Sequence, residues 1–95
     1  MIRRQSGESV LLIAQHDHAL LAGRLAGQFG NDRFPRAVPF ESTVRGVMLH
    51  DCGWPVHDDI PTLNEAGLPL DVFEAPRSIA LAVWAAGAER ASQAD

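Results

Sequence analysis

Ninety-five residues allow one small domain, and 46% apolar content makes it a folding chain rather than a disordered one. A net charge of -4, with eight basic side chains that are all arginine, argues against a nucleic-acid surface, which needs concentrated positive charge. One cysteine excludes an internal disulfide, and the apolar run Val10 to Ala14 is far too short to span a bilayer, so a cytoplasmic protein without a membrane partner is expected.

Val10-Leu11-Leu12-Ile13 reads as a short strand, with Ile2 to Gln5 available as its partner through Ser6-Gly7. A first helix starts near Gln15 to Asp17, where Asp17 can cap exposed amides. Its buried face is expected to be Leu21, Ala22, Leu25, Ala26 and Phe29. Gly23 and Gly27 share a side and permit close helix approach, and Gly30-Asn31-Asp32 ends the helix. Pro35 and Pro39 mark residues 33–40 as a connection.

A second helix starts at Glu41 or Ser42 and carries Val44, Val47, Met48 and Cys52 along one side, until Gly53 and Pro55 end or kink it. Residues 56–75 lack periodicity and read as one long loop, pinned by Leu63, Leu68, Leu70, Val72 and Phe73. A last helix begins around Pro76 with the stripe Ile79, Val83, Ala86 and Arg90, and frays from Ala91. That helix has no obvious sufficient partner. The expectation is a fragment of something longer, or a homo-oligomer that completes its core against another copy. The fold class is mainly α: a single small domain over residues 1–95 with an N-terminal strand or hairpin and a long proline-rich loop.

Chemistry concentrates in residues 47–59. His50 and Asp51, adjacent on a helix and about 100° apart around its axis, can bind one ion from the same side. His18 near the start of the first helix is the natural third ligand for a divalent ion such as Zn, Mn, Fe, Ni or Mg. Asp51 can also orient or deprotonate a water whose pKa the ion lowers. Asp17, Trp54 and His57 border the same pocket, and Asp58 is a second catalytic candidate from the loop edge. Each has a plainer reading. His18 can cap a helix or face solvent, His57 can form a solvated local pair with its aspartates, Trp54 can be core, and Cys52 can pack as a small hydrophobe.

Gln15-His16-Asp17-His18-Ala19, Leu21-Ala22-Gly23 and His50-Asp51-Cys52-Gly53-Trp54 with Asp58 together resemble a bacterial family of uncharacterised proteins. That family has the look of the HD-type superfamily, helical metal-dependent phosphohydrolases. The resemblance covers Ile2 to about Ala88 and implies that only an N-terminal half of the family pattern is present. It implies His18 as the first metal histidine and His50-Asp51 as the paired ligands. In many HD enzymes an aspartate from a later helix completes the shell. Here Asp95 sits in the tail and Asp58 lies away from the expected place, so no convincing last ligand is visible.

The implied activity is metal-dependent hydrolysis of a small phosphorylated molecule, with Arg24 or Arg45 offsetting phosphate charge. Two alternatives remain. One is a small helical structural or interaction protein with a vestigial or structural metal site and no catalysis. The other is a plain helical domain whose polar cluster joins loop to helix.

Overall fold

The computed structural model describes residues 1–94. The chain is mainly helical behind a short β-hairpin. β1 (Ile2–Ser6) and β2 (Ser9–Ile13) pair antiparallel, from Ile2 opposite Ile13 to Ser6 opposite Ser9. Gly7 turns the hairpin at φ +60°, a backbone setting that side chains resist. Both expected strands form, each one residue longer than its apolar pattern suggests.

α1 (Gln15–Gln28) follows at once, and its N-cap position is Ala14, which has no side-chain bond to offer. Asp17 lies exposed in the first turn and caps nothing, contrary to expectation. Its charge suits the positive end of the helix dipole. The capping is done from far along the chain: the Gln15 N–H donates to Asp58 Oδ2 at 2.9 Å.

The buried face of α1 also differs from the expected one. Gln15, Ala19 and Gly23 are inside, whereas Leu21, Leu25 and Phe29 are each more than half exposed. The reason is the approach of α2 (Phe40–Leu49), which packs against α1 on its small-residue side. A Cβ on Gly23 would lie 3.2 Å from the Met48 backbone and inside the Met48 side chain. The glycine side allows the close approach expected of it, whereas the bulky stripe expected to be buried faces outward.

α2 starts at Phe40 behind Pro39 and ends at Leu49. His50 stands at the C-cap and Asp51 in the turn that follows, not within the helix as expected. Pro55 then opens a single helical turn, α3 (Pro55–Asp58), where a missing N–H costs nothing. The supposed long loop therefore begins only after Asp58. It carries an isolated bridge between Leu63 and Pro69 and a 3-10 turn, Val72–Glu74, capped by Asp71. Leu68, Leu70 and Val72 are half-buried and hold it, while Leu63 and Phe73 are exposed. Arg3 fastens the loop to β1: its N–H donates to Asp71 Oδ1 at 2.8 Å, and its guanidinium reaches the Pro69 carbonyl and Glu74.

α4 (Arg77–Gln93) has Pro76 at its N-cap and continues past the expected fraying point at Ala91. Val83 is buried, with Ile79 and Ala86 half-buried beside it, as the stripe requires. Asp95 lies outside the described residues. Gly53 and Gly87 bring α4 onto the turn after α2: a Cβ on Gly53 would lie 2.6 Å from the Gly87 nitrogen. Arg90 donates to the Cys52 carbonyl at 3.0 Å, and buried Cys52 packs as the small residue expected, its thiol 3.5 Å from the Gly87 carbonyl. Among the described residues no helix is long and apolar enough to cross a membrane.

Candidate metal centre

Two helix ends meet where the ligand candidates lie. The first turn of α1 supplies His18, and the turn leaving α2 supplies His50 and Asp51. One ligand atom from each lies within 4.8 Å of the others, with both imidazoles exposed and Asp51 half-buried. The His18 and His50 rings meet edge to face, centroids 5.6 Å apart. Two imidazoles and a carboxylate form a donor set that suits a borderline divalent ion.

The protonation pattern at His50 strengthens that fit. Its Nδ1 lies 2.5 Å from the Val47 carbonyl oxygen, which only accepts, so Nδ1 carries the hydrogen. Nε2 faces Asp51 Oδ2 at 3.1 Å, where a proton on the ring or a cation between the two satisfies both atoms. Two acceptors that close repel unless a proton or a cation lies between them. Tetrahedral ligands at zinc bond lengths are about 3.3 Å apart, so the pair already has ligand-to-ligand spacing. A backbone carbonyl holding the remote ring nitrogen is also the usual support of a metal-binding histidine.

The other residues expected at the site divide. Trp54 is buried beside it, and its ring meets His57 edge to face at 6.0 Å. His57 and Asp58 are buried, not solvated, and point into a separate junction. Asp58 Oδ1 takes the Met1 ammonium at 2.6 Å, Oδ2 takes the Gln15 N–H, and His57 Nδ1 lies 3.3 Å from Oδ1. With its oxygens so occupied, Asp58 binds the fold together and does not join the His18, His50 and Asp51 group. Asp17 stays exposed on α1.

A cavity of about 340 Å³ opens beside His50 and Asp51, walled by Leu49, Trp54, Val83, Trp84 and Gly87. Neither Arg24 nor Arg45 lines it, so the expected arginine partner for phosphate is not in place. Arg45 borders a different depression with Met48 and Leu49. The residue that motif reading passed over is Gln15. It stands in the Gln-x-Asp-His-Ala stretch, is buried, and places Nε2 3.4 Å from Asp51 Oδ2.

Fold and site together define a small, mainly helical domain with a two-histidine, one-carboxylate cluster able to hold a divalent ion. The chain belongs to the family described as Protein of unknown function (DUF3891), which matches it over residues 1–95. No curated protein and no solved structure matches the chain.

Proposed function

We propose that the chain binds one divalent ion through His18, His50 and Asp51, and that it serves metal-dependent hydrolysis of a phosphoester in the manner of HD-type enzymes. The observation that carries the metal reading is the gathering of one ligand atom each from His18, His50 and Asp51 within 4.8 Å of one another. A bound ion supplies Lewis acidity and lowers the pKa of a water it holds. Asp51 keeps a carboxylate at that position to orient the water or take its proton. The cavity beside the pair, walled mostly by apolar side chains, receives the organic part of the substrate. Since no arginine among the described residues lines it, a bound ion would supply the positive charge that a phosphoryl group needs, which favours a singly phosphorylated molecule over a polyphosphate.

The absence of arginine from that cavity wall favours the non-catalytic alternative, a metal held for structure or protein contact. Both readings require the ion, and they part on catalysis. Gently purified protein should contain close to one divalent ion per chain, and His50→Ala should contain none. Wild-type protein that stays metal-free after incubation with Zn, Mn, Fe, Ni or Mg would defeat both. If metal is bound, a phosphomonoesterase screen with Mn, Ni or Mg decides between them: hydrolysis lost in Asp51→Ala supports the enzyme, and no turnover supports the alternative.

A further inference from the structure

Gln15 is nine-tenths buried, and both ends of the residue touch aspartates of different kinds. Its main-chain N–H is fixed by Asp58, which anchors the start of α1. Its side chain turns to the other aspartate, with Nε2 3.4 Å from Asp51 Oδ2. Asp51 is an acceptor, so the amide nitrogen, not the oxygen, must face it. That choice leaves Oε1 buried without any hydrogen-bond donor. A buried carboxamide oxygen left unpaired is costly, and native folds keep such a group when something else completes it.

We infer that Gln15 is the positioning residue of the metal centre: its amide N–H₂ orients Asp51 for ligation, and its Oε1 accepts from a donor that arrives with the ion, such as a coordinated water. The inference rests on the metal reading above. The 3.4 Å contact is long for a hydrogen bond, as hydrogen bonds to groups awaiting a ligand often are, and ligation shortens it. The residue works through Asp51, which its amide nitrogen faces. Its main-chain N–H still donates to Asp58 whatever the side chain, so the anchoring of α1 can be separated from the orientation of Asp51.

The test titrates Co²⁺ alone into full-length wild type and Gln15→Met, which keeps side-chain length and removes both polar atoms. The expected result is a 10- to 100-fold loss of affinity, the usual effect of removing an outer-shell partner, with altered visible bands and an unchanged far-ultraviolet spectrum. Because a variant can fail to fold, the second measurement uses the wild type. On adding Zn²⁺, the side-chain amide resonances of Gln15 should shift while those of Gln5, Gln28 and Gln93 stay. Metal binding with equal affinity in the variant, or with Gln15 resonances unmoved, overturns the role of Gln15 and leaves the metal site standing. No ion bound by wild type overturns both.

Discussion

The molecule holds two histidine–aspartate pairs, His50-Asp51 and His57-Asp58, and they are opposites. At His57-Asp58 the ring's Nε2 accepts from the Thr62 N–H at 3.3 Å, which leaves the hydrogen on Nδ1, toward Asp58. The Met1 ammonium and the Gln15 N–H take the rest of that carboxylate, and the whole group is buried. At His50-Asp51 the backbone contact is on the other ring nitrogen and of the other polarity: a carbonyl holds Nδ1–H, and Nε2 faces the carboxylate. The same dipeptide thus makes a closed, buried junction in one place and an open, more exposed one in the other. What separates them is which main-chain group meets the imidazole, a donor or an acceptor.

The largest effect should come from the closed pair. Asp58→Ala leaves the Met1 ammonium and the start of α1 without their partner, and should cost about 3–5 kcal/mol in urea unfolding, as breaking a buried ion pair does. His50→Ala, measured in chelator, should stay within about 0.5 kcal/mol of wild type, since it empties a half-exposed position. Equal losses in the two variants would erase the distinction. The open pair should respond to metal instead. Zn²⁺ at a hundredfold its Kd should stabilise wild type by about 2.7 kcal/mol, and His18→Ala or His50→Ala should show no such gain.

Gly53→Ala probes the turn shared by both pairs. Its methyl would strike the Val83 carbonyl and the Gly87 backbone, neither of which can rotate away. A loss of about 1–3 kcal/mol is expected, seen as a lower Tm with and without Zn²⁺.

The smallest effect belongs to the surface anion pair at the 3-10 turn. The Arg3 N–H beside Asp71 holds its carboxyl below its ordinary 3.8, despite some desolvation, and the Asp71 N–H with the Arg3 guanidinium holds Glu74 below 4.5. A depressed carboxylate stabilises above its unfolded value, and that contribution is lost as pH falls through the folded one. Asp71→Asn should therefore cost under about 1 kcal/mol at pH 7, since water screens the site. The gap to wild type should close as pH falls below 3.8. A gap that widened in acid would reverse the assignment.

The contrast also marks what the sequence could convey. His18, His50 and Asp51 were legible as a set because ligand chemistry depends on residue type, and a small helical fold must bring α1 near α2. The Gly23 and Gly27 side was legible because close approach needs small residues. The roles of Asp58 and Gln15 were not legible. Asp58 caps a helix 43 positions away, and no local spacing encodes that bond. The outward turn of Leu21, Leu25 and Phe29 was hidden for a related reason: periodicity locates an apolar stripe but not the side from which the neighbour comes. The exit of His50 from its helix depended on how far α2 ran before the chain bent, and terminal residues are the least determined part of any helix.

The Asp58 junction bears on the order of assembly. It joins residue 58 to residue 1 and to residue 15, spans of 57 and 43 positions. Closing such spans sets the pace of folding, because the entropy of bringing distant segments together is lost before their contacts return it. His18 stands three positions past Gln15 on the helix that this closure seats. Residues 18 and 50 are nearer in sequence than either of those spans, and the packing of α1 on α2 brings them together, so the ion's ligands meet before the Asp58 junction closes. Metal then steadies a corner that is built ahead of the slow closure. Added Zn²⁺ should speed refolding as well as slow unfolding.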